Sequence, residues 1–283
     1  LIGKNGQLGR SVQNIVDKKK QNNNFTFVGR DELDLTNDNN IDKYFNHNHF
    51  DLIINCAAYT NVDRAEEETA LADQINHLAV SKLSKVANKK KAKLIHISTD
   101  YVFDGNSSVP LKEDASTNPV NIYGMSKLKG ERVCQKNDPN SIIIRTSLVY
   151  SSFGNNFVKT ISSLMKKKDY LSIINDQIGS PTYAKDLAEA IISIINYKNW
   201  IPGLYHYSNE GEVSWFDFAK SIKEYFGYNT CLKPISTFEY STPAKRPSYS
   251  LLDKSKIKTT FNINIPNYKS SLEKCIEILK NEK

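Results

Sequence analysis

A tyrosine and a lysine four residues apart, Tyr123 and Lys127, lie in the stretch NIYGMSKLKGE (121–131), where the pattern reads as the start of a helix. Residues at i and i+4 share a helix face. The Lys127 ammonium can therefore lie near the Tyr123 hydroxyl, favour the phenolate and lower the tyrosine pKa toward neutrality. Such a tyrosine is a serviceable general acid. The pair alone decides nothing, because the spacing is common on solvated helix faces. A further hydroxyl, Thr99, closes the apolar run AKLIHIST (92–99), with Asp100 and Tyr101 next to it. At the end of a strand it can hydrogen-bond a substrate carbonyl, although threonine is also at home in strands.

These groups need a scaffold, and the start of the chain supplies one. GKNGQLGR carries Gly3, Gly6 and Gly9 at GxxGxxG spacing. Glycines let a backbone approach a phosphate and turn sharply into a helix, whose free amides and positive dipole end suit a pyrophosphate. Glycine triplets also occur in ordinary turns. Here the loop opens the first strand–helix unit of an alternating pattern, which is the context dinucleotide binding requires. The next strand ends in Gly29 and Arg30. A guanidinium there can grip a 2′-phosphate in a bidentate way, which favours NADPH over NADH. The alternative is a solvated Arg30 with Asp31 on the ribose. Ala57 and Ala58, at the end of a third apolar run, leave room for a ligand where open α/β sheets bind one, or simply pack closely.

FTFVG (25–29), FDLIINCAA (50–58), AKLIHIST and SIIIRTSLVY (141–150) read as buried strands, with helical segments such as TALADQINHLAVSKLSKVANK (69–89) between them. This alternation predicts an α/β fold, a Rossmann-like doubly wound parallel sheet covered on both faces. Residues 1–150 are expected to form the NAD(P)-binding domain. Residues 151–283 are expected to form mainly a smaller, interleaved α/β substrate domain, some segments of which return to the sheet. Helices are predicted over 184–196, 215–227 and 268–281, a strand over 203–208, a turn from Asn209 to Ser214, and an irregular or edge segment over 242–253.

The 283 residues allow one large domain or two modest ones. The net charge of +7 includes short lysine runs at 18–20, 89–91 and 166–168. They are scattered, with no aromatic platform between them, and read as solvated helix ends and loops rather than a nucleic-acid surface. A mild positive field also favours phosphorylated small molecules. Cys56, Cys134, Cys231 and Cys275 form no metal pattern. Free thiols fit a reducing compartment, hence a cytoplasmic location, and Cys56 reads as strand packing. No apolar run has the length of a membrane span, and no secretory signal is visible. The chain starts at Leu1 and enters the glycine loop at once, which predicts that part of a first strand precedes it.

With the glycine loop, STDYVFDG (98–105) and YGMSK (123–127) in order, the chain resembles the extended short-chain dehydrogenase/reductase family. GQLG, CAAYTNVDRAE, NIYGMSKLKGE, GNNFVKT, NDQIGSPTY and AKRP narrow the resemblance to the dTDP-4-dehydrorhamnose reductases, from about residue 3 to the last helix. The resemblance implies reduction of dTDP-4-dehydro-L-rhamnose to dTDP-L-rhamnose for cell-surface polysaccharide. It implies catalytic roles for Thr99, Tyr123 and Lys127. It places Gly3, Gly6, Gln7 and Leu8 at the pyrophosphate, Asp34 and Leu35 near the adenine, and Ala57, Ala58 and Thr60 along the cofactor. It assigns Asp100, Tyr101 and Asn155 to the sugar, and Gly179, Pro181, Thr182 and Arg246 to segments of the nucleotide-sugar site. The family's RTSW motif reads RTSL here, so Leu148 keeps an apolar wall but lacks ring area and an indole donor. Some relatives bind Mg²⁺ where subunits meet; no carboxylate cluster for it is evident, and no metal is expected. A homodimer is left open, as relatives often dimerise.

Dehydratases of this fold carry Asp-Glu after the threonine. Thr99-Asp100-Tyr101 lacks the second carboxylate, which argues against elimination. Two alternatives remain: a nucleotide-sugar C4 epimerase, which shares the Tyr-Lys pair, and an NADP-binding regulatory subunit of another enzyme.

Overall fold

Runs of isoleucine and valine become strands here because helices cover both faces of the sheet they form. The computed structural model describes residues 1–18 and 23–281, so Lys19 and Lys20 of the first lysine run lie outside the described residues. Helix α1 (Gln7–Lys18) follows the glycine loop. Then come β1 (Leu52–Asn55), α2 (Ala79–Lys90), β2 (Lys93–Thr99), α3 (Ile122–Asn137), β3 (Ile142–Thr146), α4 (Ala184–Ile195) and β4 (Gly203–His206). The sheet runs Val28, Ile2, β1, β2, β3, β4, with every neighbour parallel. Ile54 faces Ile95, Ile95 faces Ile142, and Ile144 faces Tyr205.

Alternate side chains of each strand point to opposite faces. Ile54, Ile95, Ile142 and Ile144 pack under Val12 and Ile15 of α1 and Leu187 and Ile191 of α4. Ile53, Leu94 and Ile143 pack under Leu83 and Ala87 of α2, Cys134 of α3, and Ile41 and Phe45 of the helix Asp38–His47.

Several elements are shorter than their patterns predict. The run 25–29 contributes one bridged residue, Val28, opposite Ile2. The backbone leaves the strand region immediately after Ile2, at Gly3 (φ 91°). The run 50–58 is strand only over β1, so Cys56 and the alanines lie beyond it. The run 141–150 breaks after β3. Leu148 adopts a left-handed φ of 46°, and Val149–Tyr150 pairs separately with Thr182–Tyr183.

The helix predicted over 69–89 is α-helical over Thr69–Asp73, widens into a π turn at Gln74–Leu78 and continues as α2. The π turn carries the buried Asn76, whose amide grips the backbone of Tyr59 (2.9 and 3.0 Å) and the Ser126 hydroxyl of α3 (3.0 Å). Gly130 of α3 lies against the Asn76 carbonyl, where a Cβ would collide. Such turns are frequent at functional sites; this one seats α3.

Beyond residue 150, the helices Phe157–Met165, Trp215–Phe226 and Tyr268–Asn281 share a core with Tyr150 and Tyr183. Tyr170–Ile174 and Cys231–Ile235 form a small parallel pair beside it. Gly227 ends its helix at φ 76°, the left-handed cap its sequence predicts. In the predicted turn 209–214, Val213–Ser214 instead pairs with Ile178–Gly179. The segment 242–253 has no regular element, only bridges at Tyr249 and Leu252.

Candidate active site

The carboxyl ends of the strands open into one cavity of about 770 Å³. Gly3, Gly6, Gln7 and Leu8 line one end, with Arg30, Asp34 and Leu35 beside them. Ala57, Ala58 and Thr60 line its length. Thr99, Asp100, Tyr101, Tyr123, Lys127, Leu148 and Asn155 line the other end.

The glycine loop is built for close approach. Gly3 has φ of 91°, and a Cβ there would sit 2.8 Å from the Ala57 amide nitrogen. Only glycine lets the loop lie against the end of β1 and still turn into α1. The Gln7 side chain also ties the loop to the far wall. Its amide donates to the Val149 carbonyl (3.3 Å), and its oxygen accepts from Ser151 (2.9 Å) and Asn156 (3.0 Å).

Tyr123 and Lys127 are held by the start of α3. Asn121 caps the helix by accepting from Gly124 N (2.7 Å) and donates to the Lys245 carbonyl (2.8 Å). Glu66 accepts from Ile122 N (2.9 Å). Side-chain acceptors of this kind satisfy the free amides of a helix start. Gly124 lets the helix rest on the Tyr101 carbonyl, where a Cβ would collide. The Tyr101 and Tyr123 rings then meet edge to face, 5.8 Å apart.

The electrostatics correct the sequence reading. Burial pushes the Tyr123 phenol up to about 12, offset in part by a hydrogen bond from Thr99 and reinforced by the charge of Asp100. The Lys127 Nζ is turned to the Ile97 carbonyl, to which it donates (2.6 Å). Lys127 is 1% exposed, and burial brings its own pKa down to about 8 against the opposing pull of Glu131. A phenol held protonated is still the state an acid needs. Burial raises Asp100 to about 6, opposed by hydrogen bonds from Ser250 and Thr99.

Arg145 and Glu131 anchor α3 to β3 by a buried, bidentate ion pair (Nε–Oε1 2.9 Å, 2.7 Å for the second arm). The Arg145 guanidinium also stacks 5.1 Å over Phe103.

The comparisons now bear on this geometry. The sequence matches the RmlD substrate binding domain family over residues 1–281. It is 38% identical to a dTDP-4-dehydrorhamnose reductase of Aggregatibacter actinomycetemcomitans, across 96% of each chain. The chain belongs to the dTDP-4-dehydrorhamnose reductase family. Its fold superposes with a TM-score of 0.94 on the Clostridium acetobutylicum reductase (38% identity; 99% of this chain, 98% of that one). It superposes at 0.92 on a Bacillus anthracis reductase solved in complex with NADP (37% identity; 97% and 96% covered).

Against the expectations for a member of this reductase family, four residues stand apart from the cavity lining: Gly179, Pro181, Thr182 and Arg246. Gly179 lies behind Leu148; a Cβ on it would sit 3.2 Å from Leu148 Cδ1. Pro181 and Thr182 are buried, and Thr182 accepts from Thr146 Oγ1 (3.2 Å). Arg246 pairs with Asp63 (3.0 and 2.9 Å) and hydrogen-bonds Tyr101. Arg30 does reach the cavity. It is 75% exposed and 3.7 Å from Asp34.

Cys56 packs against the core, as expected, and also lines the cavity, its thiol pushed up to about 12 by burial. Sequence reasoning also missed Trp215, which lines the cavity and donates to Gln177 (3.1 Å). It missed Ser250, which donates to Asp100 (2.6 Å). Both come from distant segments, and no local pattern marks them. No group of three or more His, Cys, Asp or Glu among the described residues is placed to hold a metal ion.

Proposed function

We propose that this protein reduces the C4 keto group of dTDP-4-dehydro-L-rhamnose to give dTDP-L-rhamnose, the precursor of a rhamnose-containing surface polysaccharide, with NADPH as the preferred hydride donor. The observation that carries the reading is the convergence of Thr99, Tyr123 and Lys127 at one end of a cavity whose other end is the glycine loop.

The residues fit a dinucleotide. A Cβ-free cradle at Gly3 and the amides at the start of α1 suit a pyrophosphate. Arg30, exposed at the cavity rim, suits a 2′-phosphate. When bound, NADPH supplies the hydride. The chain's own residues do the rest. Thr99 holds the C4 oxygen. Tyr123 carries a proton at its hydroxyl and gives it to that oxygen as charge develops. A phenol near 12 stays protonated at neutral pH yet is a stronger acid than the alcohol its proton creates from the alkoxide. Lys127, charged below about 8, supplies positive charge beneath the ribose and nicotinamide positions. Leu148 and Trp215 give the sugar end apolar walls.

Residues 1–150 serve as the cofactor domain. Residues 151–283 serve mainly the nucleotide sugar, lending α4 and β4 back to the sheet. No helix among the described residues is long and apolar enough to cross a membrane, which is consistent with work in the cytoplasm.

The test follows absorbance at 340 nm with purified protein, dTDP-4-dehydro-L-rhamnose, and NADPH or NADH. Oxidation that depends on the protein, faster with NADPH, supports the reading. Tight NADPH binding without oxidation would point to the regulatory alternative.

A further inference from the structure

The glycine loop that suits the cofactor is fastened to the segment that faces the sugar. Gln7 is the first residue of α1, among the amides that suit a pyrophosphate. Its side chain bonds residues 142 to 149 positions further along the chain. Nε2 donates to the Val149 carbonyl (3.3 Å), and Oε1 accepts from Ser151 Oγ (2.9 Å) and Asn156 Nδ2 (3.0 Å). Both lone pairs of Oε1 are thereby taken by one segment. Gly154 (φ 62°) lies over the same side chain; a Cβ on it would sit 3.5 Å from Gln7 Cγ. Arg10, also of α1, stacks 5.1 Å from the centre of the Phe153 ring.

Residues 151–156 have no helix or strand of their own. Ser151 Oγ bonds the Phe153 backbone (2.9 and 3.1 Å), and Asn156 Nδ2 also donates to the Ser151 carbonyl (2.8 Å). These bonds shape the segment, and those of Gln7 and Arg10 hold it against α1. Two cavity-lining groups follow its position. Asn155 belongs to it. Asn156 caps the helix Phe157–Met165 by accepting from Lys159 N (3.2 Å), and the Phe157 ring lies 4.5 Å from that of Trp215.

We propose that Gln7 is a positioning residue that couples the two ends of the cavity: a pyrophosphate seated in the glycine loop fixes Gln7, Gln7 fixes the segment 149–156, and the sugar nucleotide then binds more tightly. The inference rests on the reductase reading. Glycines at 3, 6 and 9 give the free loop backbone latitude, which bonds from its amides to a phosphate remove. A second ligand then has less left to order. The effect is reciprocal, so the sugar nucleotide tightens the cofactor by the same factor. The contacts run through protein alone, from the loop to Asn155, and need no nicotinamide.

The experiment is calorimetric titration of dTDP-L-rhamnose into the protein alone and into protein saturated with 2′-phospho-ADP. This probe has the pyrophosphate and the 2′-phosphate but no second ribose and no nicotinamide, so it fills the loop without touching the sugar. It is expected to tighten dTDP-L-rhamnose by about fivefold or more; a smaller factor overturns the proposal. Gln7→Met keeps the length of the side chain without its hydrogen-bonding groups. It is expected to bring the factor below about twofold, whatever it does to each affinity alone, and a larger remaining factor overturns the proposal. A merely structural role would alter the separate affinities and leave their ratio in place. Ser151→Ala removes one bond to Gln7 Oε1 and is expected to lower the factor to about half or less. Should the methionine variant fail to fold, a Ser151→Ala protein that keeps more of the factor overturns the proposal. A wild-type protein that binds 2′-phospho-ADP but no dTDP-L-rhamnose, with or without the probe, overturns the reductase reading itself, and the proposal with it.

Discussion

Replacing Lys127 with methionine should stabilise the protein while disabling it. The ammonium is 1% exposed, and its pKa falls from 10.5 to about 8. At about 1.4 kcal/mol per unit, holding this charge in the folded state costs about 3 kcal/mol at pH 7. The hydrogen bond to the Ile97 carbonyl is part of the same site. Losing it and leaving that carbonyl unpaired returns about 1–2 kcal/mol. Lys127→Met should therefore gain about 1–2 kcal/mol at pH 7. The pH dependence is the sharper signature. Between about pH 8 and 10.5 the unfolded chain holds a proton on Lys127 that the folded chain has lost, so wild-type stability gains from this group as pH rises. Below 8 both states are protonated and the penalty is constant. The methionine variant lacks the rise. Urea unfolding of both proteins from pH 7 to 10 isolates it as a difference curve, since all other groups are common to the two. The variant's advantage of about 1–2 kcal/mol at pH 7 should fall by about 2–3 kcal/mol across that range and reverse to favour the wild type by about 1 kcal/mol near pH 10. A flat difference would refute the claim that Lys127 is charged and penalised by burial. In the same samples NADPH affinity and turnover should both fall.

Tyr123→Phe removes only a hydroxyl. It should lower turnover by about 10²–10⁴-fold while leaving the unfolding midpoint and NADPH affinity nearly unchanged; undiminished turnover would dismiss Tyr123 as the acid. Arg145→Met leaves Glu131 buried without its partner and should lose about 3–5 kcal/mol of unfolding free energy, which denaturant titration measures; a loss under 1 kcal/mol would mean the pair does not anchor α3. Arg30→Ala should weaken NADPH binding by about tenfold and leave NADH binding nearly unchanged, as read by fluorescence titration. Equal weakening of both would assign Arg30 a role other than gripping the 2′-phosphate.

Local rules were enough for much of this protein. Strand–helix alternation, the glycine loop before α1 and the YGMSK stretch at the start of α3 are short-range signals, set by backbone freedom and side-chain periodicity. The helices at 184–195, 215–226 and 268–281 carry their own apolar faces and ends, so their bounds were legible to within a residue or so. Cavity-lining positions from Gly3 to Tyr123 lie in motifs at strand ends, and the topology brings strand ends together. The rest depended on what meets across the fold. Ser250 reaches Asp100 from 150 residues away, and Arg246 pairs with Asp63 across 183 residues of chain. The left-handed turn at Leu148 follows from the chain leaving one sheet to pair with Thr182, which no property of leucine announces. Above all, the sequence placed an ammonium one helical turn from a phenol, but burial decided their charges. Low-dielectric surroundings keep the Tyr123 proton on and loosen that of Lys127, and only the packed structure sets how much water each group loses.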